Sequence, residues 1–171
     1  MSLNSIQLPG FVVADLYKNS LIGVDKKESE KKNGYGTLTS YKFLGNNQQK
    51  ITLIVRSADT FFLPEQHLTF IAKMLEACKI NIGDVAIVNH ASSPVTVSEL
   101  KQQLTPKIII LFGIEPIEIK LPVNFPQFRI QAYDDCNYLY SPALDILNQG
   151  TEEGKLLKSK LWVCLRTLFA V

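Results

Sequence analysis

The chain has 171 residues, 46% of them hydrophobic, which is enough apolar side chain to fill one sizeable core without disulfide staples. Lys and Arg number 18 against 16 Asp and Glu, and a formal net charge of +2 excludes the broad positive field of a protein that grips nucleic acid over its whole surface. Three isolated cysteines, Cys78, Cys136 and Cys164, exclude a disulfide framework and a paired CxxC metal site.

Residues 8 to 24, LPGFVVADLYKNSLIGV, contain a short amphipathic element with Phe11, Leu16, Tyr17 and Leu21 as its apolar anchors. DKKESEKKNGYG, residues 25 to 36, is dense in mixed charge and ends in glycines, so it reads as a linker. Residues 1–36 are therefore separated from a single folded domain over 37–171. An apolar stripe on a charged tether has two readings, packing back on its own domain or docking on a partner, and the sequence leaves both open.

TLTSYKFLG, residues 37 to 45, and KITLIVRSA, residues 50 to 58, flank the polar turn Asn46-Asn47-Gln48-Gln49 and suggest an N-terminal β-hairpin. The near-continuous ITLIV marks its second strand as buried on both faces. Pro64 then opens a helix, with Leu68, Ile71, Ala72, Leu75 and Ala77 at helical spacing, and Gly83 punctuates the return. DVAIVNH, residues 84 to 90, is a second buried strand, VSELKQQL, residues 97 to 104, a short helix, and KIIILFG, residues 107 to 113, the clearest strand.

The Pro-rich stretch from Ile114 to Phe128 shows no periodicity and reads either as cover for the sheet or as surface loop. CNYLYS supplies a fourth strand, which turns through Ser141-Pro142 into a helix ending at Asn148. There Ser141 is expected to be the N-cap and Pro142 the first helical residue. A last helix spans Glu152 to Phe169, with Leu156, Leu157, Leu161, Cys164, Leu165 and Leu168 as its inward stripe. Strands alternating with helices predict an α/β fold. The expected form is a three-layer α/β/α sandwich around a mainly parallel sheet of about four strands, plus the hairpin strand.

Ligands of open α/β sheets gather at the carboxyl ends of the strands. Here those ends read Arg56-Ser57-Ala58-Asp59-Thr60, Asn89-His90, Gly113 and Ser141-Pro142. The succession KITLIVRSAD, DVAIVN, PKIIILFG, SPALDIL and KLW, from Lys50 to Phe169, resembles the uracil-DNA glycosylase superfamily. Within it, the chain is more similar to the psi-subunit family of the bacterial DNA polymerase III clamp loader. The resemblance implies a compact α/β body that meets a second accessory protein and an N-terminal peptide that docks on the loader.

Glycosylases of the superfamily carry a Gly-rich first loop and a His-Pro-Ser segment at the last corner. This chain has RSADT and Tyr140-Ser141-Pro142 in those places. Ser57, Asp59, Asn89, His90 and Ser141 are then the residues of a vestigial pocket, with no catalytic residue, no metal and no cofactor expected. The expectation is a non-catalytic adaptor with a protein partner, a clamp-loader ATPase subunit, and weak or indirect DNA contact. A glycosylase-like DNA repair enzyme or nucleic-acid-binding protein with a divergent site is the alternative. No apolar run approaches the roughly 20 residues that span a bilayer, and no basic-then-apolar leader pattern is present, so a cytoplasmic location is expected.

Asp134-Asp135 reads as a turn. His67 reads as a packing or solvent residue of its helix, and Trp162 either as a core anchor or as an interface residue. Lys155, Lys158, Lys160 and Arg166 read as a solvated helix face.

Overall fold

A computed structural model describes residues 40–171. The chain divides into two units at Gly36 and Thr37, and every described residue belongs to the second. The expected N-terminal amphipathic element, the charged linker and the anchors Phe11, Leu16, Tyr17 and Leu21 lie outside the described residues.

Five strands form one sheet: β1 (Ile51–Val55), β2 (Val85–Asn89), β3 (Ile108–Phe112), β4 (Ile130–Tyr133) and β5 (Cys136–Ser141). Their order is β2-β1-β3-β5-β4. The pairs β1–β2, β1–β3 and β3–β5 are parallel, and β4–β5 is antiparallel, so the fold is α/β with a mixed, mostly parallel sheet.

The helices are α1 (Glu65–Ala77), α2 (Val97–Leu104), α3 (Leu144–Leu147) and α4 (Glu152–Phe169). As expected, α1 starts directly after Pro64, and α4 has the predicted limits, capped by the Thr151 hydroxyl, which accepts from Gly154 N at 3.1 Å.

The unbroken apolar runs follow from burial on both sides. Ile51, Leu53 and Val55 point to a core shared with Ile71 and Leu75 of α1, Leu144 and Leu147 of α3, and Leu161 and Leu165 of α4. Ile54, Ile109, Leu111 and Tyr138 point to a second core with Val97, Leu100 and Leu104 of α2. The Pro-rich stretch belongs to this second core: Ile114, Ile119, Leu121 and Phe125 are all buried in it, so it covers that face of the sheet.

Three expectations are corrected. No hairpin joins residues 41–45 to β1, because parallel neighbours already occupy both edges of β1. Leu44 instead makes an isolated antiparallel bridge with Ile87 on the outer edge of β2. Asn47 N and Gln49 N donate to Val85 O and Asp84 O at 3.1 and 2.9 Å, holding the intervening turn on that same strand. Gly45, at φ 104°, permits this approach, since a Cβ there would stand 2.1 Å from Val85 O.

Second, the sheet holds a strand that the sequence reading missed. β4 pairs with β5 through a two-residue turn in which Asp134 and Asp135 both have positive φ, 50° and 56°. That is the backbone twist tight hairpins select, and the two aspartates are turn residues as expected.

Third, Ser141 is no helix cap. It ends β5 fully buried, its hydroxyl has no hydrogen-bond partner, and α3 begins only after Ala143. Gly113, at φ 66°, ends β3 beneath this corner. Its N–H donates to Ser141 O at 2.9 Å, and a Cβ on it would lie 2.7 Å from that of Ala143.

Candidate functional site

The carboxyl ends of β1 and β2 bring three of the expected pocket residues together. Asn89, 3% exposed, ends β2, and its Oδ1 accepts from Ser57 N at 3.0 Å and Ala91 N at 3.1 Å. Its Nδ2 donates toward Ser57 O at 2.8 Å and Thr60 O at 3.0 Å, with Phe61 O and Ser92 Oγ at 3.2 and 3.1 Å. Two N–H groups thus face four acceptors, and one carboxamide ties the loop after β1 to the loop after β2. The Ser57 hydroxyl meets Thr60 Oγ1 at 3.1 Å. Nothing of Asn89 is left to read a ligand edge.

His90 turns toward other partners. Its Nδ1 accepts from Val95 N at 3.0 Å, which leaves the proton on Nε2. Burial and then the Arg56 guanidinium push its pKa below the ordinary histidine value, against a weaker opposing pull from Glu118. Arg56 forms an ion pair with Glu118, which reaches back from the Pro-rich stretch over the strand ends. Burial alone would raise the Glu118 carboxyl, but the Glu115 N–H that it accepts at 3.0 Å and the Arg56 guanidinium hold it below the usual value. The imidazole is thus held by the Val95 amide beside the Arg56–Glu118 ion pair.

A cleft of about 230 Å3 opens beside β2, lined by Ser40, Lys42, Phe61, Asn89, Ser92 and Ser93. It falls below the roughly 300–1,000 Å3 typical of small-molecule pockets. Lys42 Nζ sits 5.5 Å from the centroid of the exposed Phe61 ring, which packs edge-on against Phe62. Asp59 is exposed on the β1–α1 loop and, like the buried Ser141, does not line this cleft. Asn89 is bonded to Ser57 and next to His90, and Asp59 is carried on the Ser57–Thr60 loop that Asn89 fastens, whereas Ser141 ends β5, two strands beyond β1.

No protein-family model and no curated protein matches this chain.

A second concave surface runs between α1 and α4. Its apolar part, about 280 Å3, is floored by Phe70, Met74, Leu161, Trp162 and Leu165, with Lys73 and Lys158 at the rim. It continues into a wider, more polar hollow of about 550 Å3 that shares Phe70, Lys73 and Lys158 and reaches Glu65 and Asn148. Lys158 Nζ lies 5.6 Å from the Phe70 ring centroid.

Trp162 is 37% exposed on this surface, so it is not a buried core anchor, and Leu156, expected inward, is 56% exposed. His67, as expected, packs within the helical layer, its Nε2 3.1 Å from Asp145 Oδ1. Among the described residues, no group of three or more His, Cys, Asp or Glu side chains is placed to hold a metal ion, and no helix is long and apolar enough to cross a membrane.

The sequence names Arg56 only as part of a strand end and gives no role to Glu118, Lys42, Phe61, Phe70 or Lys73. Phe61 directly follows the strand end Arg56–Thr60, and that proximity is its signal. Glu118 had none, standing 62 residues from its partner.

Proposed function

We propose that this protein is a non-catalytic adaptor resembling the psi subunit of the bacterial DNA polymerase III clamp loader, on an α/β body of three-layer α/β/α type. One observation carries the reading: the Asn89 carboxamide at the strand ends is wholly engaged in holding two loops of the protein itself together. The locked, neutral His90 and the Arg56–Glu118 pair support it, as does the residue order from KITLIVRSAD through SPALDIL that resembles the psi family. In this reading the protein is cytoplasmic. Residues 8–22 dock on a clamp-loader ATPase subunit through Phe11, Leu16, Tyr17 and Leu21, and DNA is contacted weakly or through partners.

The exposed Phe61 with Lys42 beside a strand-end cleft favours the second reading, a glycosylase-like repair enzyme or nucleic-acid-binding protein with a divergent site. The two separate in one assay. Full-length protein is incubated with single-stranded DNA containing uracil, and separately titrated with the clamp-loader ATPase. The adaptor reading expects no excised base, and binding that weakens at least about tenfold when Phe11 and Tyr17 are both changed to Ala, as for paired aromatic anchors. Uracil excision that disappears in His90→Ala would replace it with the enzyme.

A further inference from the structure

α4 carries Lys155, Lys158, Trp162 and Arg166 at steps of three and four residues, which places them along one stripe of the helix. Lys158 and Trp162 border the apolar groove against α1, and Lys73 faces them from the α1 side. Lys155 is engaged by Glu152 at 2.7 Å, and Arg166 Nε donates to Val171 O at 3.2 Å. The one carboxylate lining the groove, Glu65, stands in its wider polar part. The lining is therefore an apolar floor with cationic walls, and exposed tryptophan set among phenylalanine and methionine is of the kind concentrated at protein interfaces.

We infer that the α1–α4 groove docks an amphipathic helix of a partner protein whose apolar face is flanked by Asp and Glu. The inference rests on the adaptor reading and deepens it by giving the folded body its own partner surface. A helix fits because the lining residues step by three and four along both helices, Gln66, Thr69, Phe70 and Lys73 on α1 and Lys158, Leu161, Trp162 and Leu165 on α4, a furrow into which a third set of side chains interdigitates. The stretch of α1 that lines the groove, Glu65 to Met74, extends about 15 Å, the length of roughly three helical turns of a partner. An acidic flank fits because Lys73 and Lys158 oppose it across the furrow. A second copy laid face to face would set Lys73 and Lys158 near their own equivalents, so charge disfavours self-pairing. A lipid surface is flat, whereas these cations line a concave wall.

Trp162 is the sole tryptophan of the chain, so its emission reports on the groove without a label. The full-length protein is titrated with a synthetic amphipathic helix of about 16 residues bearing Leu and Phe on one face and Glu on the flanks. The same peptide with Lys in place of Glu, and anionic phosphatidylglycerol vesicles, are titrated in parallel.

The expected result is a saturable blue shift of Trp162 with the acidic peptide. Affinity should fall about tenfold or more in K73E/K158E, the loss expected from two reversed charge contacts, while the double variant keeps the native circular dichroism and unfolding midpoint and gains affinity for the basic peptide. Equal response to both peptides, a response to vesicles alone, or a Trp162 signal that changes on dilution without any peptide would each overturn the proposal, the last by pointing to a second copy. A silent Trp162 in a protein without excision activity removes the groove and leaves the adaptor reading. Excision activity with a responsive Trp162 removes the adaptor reading and leaves the groove.

Discussion

At the scale of single residues, Asn89 shows how a side chain suited to recognition can be committed to architecture. Its Oδ1 and Nδ2 together satisfy Ser57 N, Ala91 N and Ser57 O. Asn89→Ala would strand those groups in a buried site, and urea unfolding should report a loss of about 2–4 kcal/mol. Thr52 is the converse case. It is fully buried in β1 with an unpartnered hydroxyl, so Thr52→Val should raise stability by roughly 0.5–1.5 kcal/mol in the same experiment.

His90 adds a pH dependence. Its folded pKa lies below the 6.5 of an unperturbed imidazole, so the unfolded chain takes up the proton first. The contribution to stability is complete above 6.5, shrinks as pH falls below that value, and is fully lost once pH passes the depressed folded pKa. Unfolding midpoints measured across this window should fall on acidification and fall less in His90→Gln. The depressed Glu118 pKa acts in the same direction below 4.5 and is retained in that variant, so the two effects separate by pH.

Elements are positioned by a few close approaches. Gly113 ends β3 at positive φ against Ala143, and this lets the β5–α3 corner close over the end of the sheet. Gly113→Ala adds a Cβ where the backbone is unfavourable and the neighbour already fills the space. A loss of about 2–3 kcal/mol is expected, read as a lowered midpoint in urea.

At this scale the sequence was legible where burial was symmetrical. ITLIV, VAIVN and IIILF, apolar on both faces, are strands, and Thr151 before a long amphipathic run marks the start of α4. It was misleading where a pattern has two solutions. Leu156 lies five residues before Leu161, roughly 140° away around the helix, so it cannot share the inward stripe that Leu161 and Leu165 define. Trp162 is apolar enough for a core yet stands at the margin of one. The four-residue β4 was invisible because its hairpin uses Asp134-Asp135 rather than a glycine turn and follows a stretch rich in proline.

For the molecule as a whole, the placement of the strands follows from which edges remain available. β1 is an interior strand, flanked by β2 and β3 and buried along its whole length, whereas β4 has one neighbour and exposed residues at Ala132 and Tyr133. Native-state hydrogen exchange should rank amide protection as β1 and β3 highest and β4 lowest, with the β4 amides exchanging by local opening. Equal protection across the sheet would contradict this topology.

Long-range pairings were the part no local pattern could supply. The bridge of Leu44 to Ile87 and the contact of Arg56 with Glu118 depend on the finished fold to bring their members together. The candidate site was half legible for the same reason: the strand ends were found, but the partners that close them come from distant segments.

The bridge at Leu44 has a further effect. Together with the turn that follows it, this segment bonds the outer carbonyls of Val85 and Ile87, so neighbouring molecules cannot pair with β2 over that stretch. Stacking by strand addition needs two sticky margins on every subunit, and here one is sealed, leaving only the short β4 margin for such contact. Growth through the sheet would therefore terminate at a pair, and a fibre cannot propagate by that route.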